Sequence, residues 1–416
     1  MSKVRSNPNL VSLRSIAPSV FLPALIYEIG NGAIAPIVAL TAVAEGASLR
    51  TAGFMLGLLG VGQILGDIPA GALADRVGDR GAMIVAGVID IIGLAGCFLS
   101  RSLAVLGPAL VAIGIANATY YLGRQSYLTE VVPLNLRARA LSTLGGSHRI
   151  GLFIGPFVGA ATISLTGLRG AFAAAAFATA TAVVLLLAIP DVLAGSHPAV
   201  ERSEASSWRM ISVHRRLFAT LGLAMVLVGA IRAARQTVLP LWAQHLGLDP
   251  VQVSIIFGIS GAVDMALFYP AGMIMDRFGR LAIAVPSMVI QGGALLAIPL
   301  THGSTALTVV AVVMSLGNGI GSGVMLTLGA DTAPAESRAR FLAAWRLFGD
   351  SGNAAGPAVV ALVAQAASLA FGIAAMGGIA LLAAAALARW VPRYSPRRGH
   401  DSARGIPKTA GDLEMF

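Results

Sequence analysis

The chain has 416 residues, 56% of them hydrophobic and only 12% charged, with a net charge of +10. Soluble domains carry roughly 25% charged residues, so the composition excludes an ordinary water-soluble globule. The apolar residues also run continuously for about twenty positions, the length of helix that crosses a hydrocarbon layer ~30 Å thick. Barrel strands would instead alternate at every second residue. The 49 glycines and the alanine-rich stretches suit helices that approach closely in lipid. The single cysteine, Cys97, excludes an intrachain disulfide and a cysteine-based metal site.

In chain order, residues 1–16 read as a cytoplasmic N-terminal segment. The first apolar run follows Lys3, Arg5 and Arg14, as in a signal peptide, but it is too long and carries Glu28, Asn31 and Pro36. It is read as the first of twelve spans: 17–43, 50–74, 82–100, 103–128, 139–164 and 168–190, then 217–244, 252–275, 281–300, 304–330, 340–366 and 369–391. A polar linker at 191–216 divides a first six-helix bundle, 17–190, from a second, 217–391. The basic tail, 392–416, reads as disordered. With both termini inside, the inner segments hold 21 of the 29 Lys and Arg residues and the outer loops hold three, Arg50, Arg101 and Arg169. Positive loops stay cytoplasmic, which sets the orientation.

A shift of 201 positions superimposes one half on the other. Gly57 meets Gly258, Gly60 meets Gly261, and Pro69-Ala70-Gly71 meets Pro270-Ala271-Gly272. Further on, Asp75-Arg76 meets Asp276-Arg277, Gly78 meets Gly279, Asn117 meets Asn318, Arg137-Ala138-Arg139 meets Arg338-Ala339-Arg340, and Gly155-Pro156 meets Gly356-Pro357. An even number of spans per copy keeps both copies in one orientation, with a two-fold axis along the membrane normal and a site between the halves near the midplane.

Three groups of residues stand out. The loop Gly71-Ala72-Leu73-Ala74-Asp75-Arg76-Val77-Gly78-Asp79-Arg80 recurs as Gly272-Met273-Ile274-Met275-Asp276-Arg277-Phe278-Gly279-Arg280. In span 5, Gly151, Gly155 and Gly159 fall near one helix face, and Pro156 predicts a bend. Generic small-residue packing is the alternative reading of that pattern. The third group is the ionisable residues inside spans: Glu28, Asp67, Asp90, Asp264 and Asp350 against Arg124, Arg149, Arg232, Arg235 and Arg346. A mid-span charge costs about 2.5–3.5 kcal/mol on insertion scales, so such groups pair or line water. Asp67 and Asp264 read as structural.

The repeated loop resembles the signature of the major facilitator superfamily, and the span 5 motif resembles that of its twelve-span drug:proton antiporter (multidrug efflux) branch. The resemblance implies an all-α integral membrane protein, twelve helices in two pseudo-symmetric six-helix bundles. It implies that the loops are latches, with a cluster of Asp276, Arg280 and Asp331. In the first loop Asp79 stands where an arginine is expected, with Arg80 beside it and Glu130 as the possible partner. Span 1 lines the central cavity in the family, which makes Glu28 a proton-coupling or cation-binding group, or half of a fixed ion pair. Arg232, Arg235 and Gln236 share one face of span 7, with Arg232 at the position equivalent to Asn31; they either bind an anionic substrate or neutralise Glu28. Arg124, Asn117 and Asn318 are further cavity residues by the same analogy. The arginine that many members carry early in span 4 is replaced here by Leu110.

No P-loop pattern supports ATP drive, the six histidines show no metal-ligand spacing, and no catalytic constellation is present. The expectation is proton-coupled efflux of a small organic compound by a monomer in the plasma membrane, bacterial in kind, with no cofactor, metal or nucleic acid. An importer of a small anionic metabolite and a non-transporting membrane sensor are the alternatives.

Overall fold

The computed structural model describes residues 20–132, 136–189, 207–321, 323–334 and 338–394. The N-terminal segment, most of the linker and most of the tail lie outside these residues. The described residues are helical almost throughout. Span 1 is a bent pair, Leu22–Ile34 and Ile37–Ala44, with a 40° break at Ala35 and Pro36, where proline's missing N–H removes a helical bond. Spans 2 and 3 form one run, Leu49–Leu99, interrupted at Gly78. Leu103–Val131, Arg137–Thr166 and Gly170–Ala188 complete the first six. The second six are Leu223–His245 (entered through a π-turn, Phe218–Gly222), Pro250–Phe278, Leu281–Leu300, Ser304–Gly321 with Val324–Thr332, Arg338–Ala366 and Leu369–Tyr394. The last helix thus runs past Pro392 into the segment read as tail, and a short helix, Ser207–Val213, sits in the linker.

Nine of the described helices are long and apolar enough to cross a membrane, ten with the bent pair. Span 2 contributes a shorter apolar stretch, Thr51–Asp67. Span 11, Arg338–Ala366, carries Arg346 and Asp350 in its course.

Packing repeats as the sequence does. A Cβ at Gly151 would meet Glu28, one at Gly155 would meet the Ile29 carbonyl, and one at Gly159 the Ala33 carbonyl. Their counterparts Gly352 and Gly356 press on Val226 and Ala230 of span 7, and Ala230 is the residue equivalent to Ile29. Between the halves, Gly60 lies against Ala354, and its equivalent Gly261 lies against Phe153, the equivalent of Ala354. Small residues let backbones touch, which is how helices associate without a hydrophobic drive in lipid.

The two ends of the molecule differ. At the end bearing loops 45–48, 100–102, 167–169, 245–249 and 301–303, one continuous apolar core joins both halves, from Ile37, Leu40 and Phe172 to Ile231, Leu239 and Ile373. At the opposite end the apolar cores are separate, one drawn from the first half around Tyr27, Tyr120 and Leu144, the other from the second around Phe218, Phe341 and Trp345. The molecule is closed at the first end, and the halves keep separate cores at the second.

Candidate transport site

Glu28 is fully buried in span 1 and is gripped by two other helices, spans 4 and 5. Arg124 of span 4 donates to Oε1 at 2.7 Å, and the imidazole Nδ1 of His148, from span 5, lies 2.9 Å from the same oxygen. Tyr121 donates its hydroxyl to Oε2 at 3.2 Å, and the Arg124 guanidinium stacks over the Tyr121 ring at 4.2 Å. The adjoining Tyr27 and Asn31 both donate to Asn117 Oδ1, at 2.8 and 3.1 Å. A carboxylate with this set of partners has its charge matched and its lone pairs filled, which is what burial requires.

One residue beyond His148, Arg149 leaves the first half. Its Nη1 lies 3.1 Å from Asp264 Oδ2 on span 8, and its guanidinium sits 4.4 Å over the Phe268 ring. Asn318 of span 10 holds the other oxygen of Asp264 at 2.9 Å. The mirror contact joins span 11 to span 2, with Arg346 3.4 Å from Asp67 and 3.2 Å from Asp350. These two bridges occupy nearly equivalent places. By the repeat, Asp264 corresponds to Gln63, one turn from Asp67, and Arg346 corresponds to Gly145, one turn from Arg149. Asp67 and Asp264, read from sequence as structural, therefore tie the halves together.

Arg232 and Arg235 stand apart from Glu28. Both are half-buried on span 7, and neither forms an ion pair or hydrogen bond among the described residues; Arg235 Nε is buried without a partner. Gln236 beside them is exposed. Asp90 of span 3 is buried and accepts from Thr179 at 2.7 Å.

A model of the Major Facilitator Superfamily matches residues 20–354 and 221–410. The chain belongs to the Major Facilitator Superfamily. It is 22% identical over 326 residues to an uncharacterised MFS-type transporter of Methanocaldococcus jannaschii, covering 77% of this chain and 83% of that one. It is 27% identical over 202 residues to multidrug resistance protein MdtG of Klebsiella pneumoniae, covering 48% and 46%. Among solved structures, a POT family transporter in complex with a thioalcohol-conjugated peptide superimposes with a TM-score of 0.76 at 15% identity, covering 92% and 96%. A D-xylose–proton symporter gives 0.70 at 16%, covering 93% and 98%. The protein is a multi-pass membrane transporter of this superfamily and not an enzyme.

In the second signature loop, Arg280 reaches Asp331 at 2.8 Å and Asp276 at 3.5 Å. In the first, Arg80 donates to the carbonyls of Leu186 and Ile189, so it caps the end of span 6. Asp75, Arg76, Glu130 and Arg277 are exposed, and Gly71 is half-buried. Nothing lies within 4 Å of a Cβ placed at Gly272. Gly78 and Gly279 have φ of 78° and 87° with ψ of 162° and 169°, a region that only glycine enters at low cost, others losing about 1–3 kcal/mol. Gly279→Ala is therefore expected to lower the melting temperature of the purified protein clearly, and Gly272→Ala, with open space around it, to leave it within error; differential scanning fluorimetry reads both.

His148 and Tyr121 were not singled out from sequence. A signal existed for each. His148 precedes Gly151 by three residues on the face of span 5 that meets span 1, and Tyr121 precedes Arg124 by three on span 4.

Proposed function

We propose that this chain is a proton-coupled exporter of a small organic compound, working by alternating access of two rocking bundles around a shared polar chamber. The observation that carries the proposal is the sequence of contacts along span 5: His148 on Glu28, then Arg149 on Asp264 of the other half. Histidine is the side chain whose charge changes near physiological pH, and a carboxylate within a span is a common element of proton relays. A proton taken up by the Glu28 carboxylate neutralises it and removes its attraction for the Arg124 guanidinium and its hold on His148. The turn of span 5 that carries His148 is then free to shift, and Arg149 moves with it, loosening the bridge to Asp264. Binding of a proton at Glu28 is thereby read by the joint between the halves. The transmembrane potential adds about 2.3 kcal/mol per charge per 100 mV, enough to drive such a change repeatedly.

Span 5 packing through Gly151, Gly155, Pro156 and Gly159 supports export through the antiporter motif it resembles, and the partial likeness to MdtG points the same way. The basic inner loops support cytoplasmic termini in a bacterial plasma membrane. The protein is proposed to act as a monomer, since each chain carries both halves of the repeat.

Proteoliposomes loaded with a pH-sensitive dye test the coupling and its sign together. When a transported compound is added outside, antiport expels protons and the lumen becomes more alkaline. Luminal acidification would identify a symporter instead, and no pH change with any transported compound would remove proton coupling. Arg149→Gln and Asp264→Asn are each expected to slow this flux severalfold, because a cross-half pair that must form and break in every cycle sets the barrier between states.

A further inference from the structure

We infer that the compound carried by this transporter bears an anionic head group, a carboxylate or phosphate, that seats between Arg232 and Arg235. The inference rests on the reading of the space between the halves as the transport chamber, and it names the class of compound. Five arginines of the spans around that space, Arg124, Arg149, Arg232, Arg235 and Arg346, stand against four carboxylates, Glu28, Asp67, Asp264 and Asp350. All four carboxylates are already taken, Glu28 by Arg124 and His148, Asp264 by Arg149 and Asn318, and Asp67 and Asp350 by Arg346. Arg232 and Arg235 are left over.

Their position makes the excess significant. They lie one turn apart on the same face of span 7, so their like charges repel. The charges that bear on both are those of Asp264 on span 8 and Arg149 on span 5, which places them at the junction of the two halves. An intramembrane cation pairs or faces water and substrate, and the buried, unpartnered Nε of Arg235 has no protein acceptor. Guanidinium groups bind a planar carboxylate or a tetrahedral phosphate by paired hydrogen bonds. An anion between them would supply the missing acceptor and relieve the repulsion at once. The chemistry also agrees with export, since a membrane potential negative inside drives an anion outward. A cationic compound, in contrast, would meet two uncompensated arginines.

The test uses the purified full-length protein and needs no proton gradient, so its result stands apart from that of the coupling assay. Thermal stability is titrated with benzoate and with inorganic phosphate, and with benzamide and benzylammonium as neutral and cationic isosteres, all against chloride at matched ionic strength. The expected result is stabilisation by at least one of the anions and by neither isostere. Arg232→Gln with Arg235→Gln should raise the apparent Kd of that anion about tenfold or more. Arg232→Lys with Arg235→Lys, which keeps the charge, should retain part of the effect. Equal stabilisation by the isosteres, an anion effect that survives the double Gln variant, or no anion effect at all would each overturn the inference.

Discussion

Glu28→Gln is expected to abolish proton-coupled flux, reducing it to the level of empty liposomes, and to weaken the fold at the same time. The substitution leaves Arg124 and His148 around a neutral amide at a site with no solvent exposure. Breaking a buried pair by removing one charge costs about 3–5 kcal/mol, whereas replacing both members is often close to neutral. Stability and function should therefore separate in a double-mutant cycle. Glu28→Gln alone melts early. Adding Arg124→Gln returns much of the lost stability but none of the coupling, because the group proposed to carry the proton is still missing. Luminal pH recordings and scanning fluorimetry on the same preparations read the two effects. Coupled flux that persists in the Glu28→Gln protein at the wild-type rate would show that the proton enters elsewhere.

Gly155→Leu is expected to prevent accumulation of folded protein. The Cβ alone would come 2.5 Å from the Ile29 carbonyl and 2.6 Å from the Gly32 Cα, both backbone atoms that cannot rotate away. Spans 1 and 5 would have to part, and with them His148 would leave Glu28. Overpacking of this kind costs typically 1–3 kcal/mol in a core that can adjust; here the obstacle is helix backbone, so the loss should be larger. The control lies on the same helix. Gly146→Leu has nothing within 4 Å of its Cβ, and leucine is the better helix former by roughly 0.8 kcal/mol. That variant should express and melt as the parent does. Yield after size-exclusion chromatography distinguishes the pair, and equal behaviour of the two would remove the argument from close contact.

Much of this architecture was legible in the sequence, because lipid imposes strong and simple rules. Runs of twenty apolar residues became helices at the expected places, and residues related by the 201-residue shift touch in equivalent ways, as Gly60–Ala354 and Gly261–Phe153 do. The site was less legible. Glu28 and Arg124 were visible as charges within spans, but which cation meets which carboxylate depends on helix rotation to within a few tens of degrees. The span 7 arginines, Arg232 and Arg235, are the expected neutralisers of Glu28 if they do not bind an anion, and Arg124 is expected only as a further cavity residue; the fold gives Glu28 to Arg124. His148 is hard to read from sequence because the six scattered histidines show no ligand spacing, and only its place three residues before Gly151 marks it as a neighbour of span 1. Asp67 and Asp264 lie one helical turn off strict equivalence, so the repeat by itself conceals that they make matching bridges.

The most direct test of the central claim is a cysteine cross-link at the closed end. In a Cys97→Ala background, Gly53→Cys and Ala361→Cys would place sulfurs on spans 2 and 11, in different halves, where a Cβ at Gly53 lies 3.0 Å from that of Ala361, near the spacing of a disulfide. If the halves rock apart at this end in each cycle, oxidation should form the bond readily, stop transport, and allow full recovery on reduction. Transport that continues at the same rate with the bond complete would contradict the account.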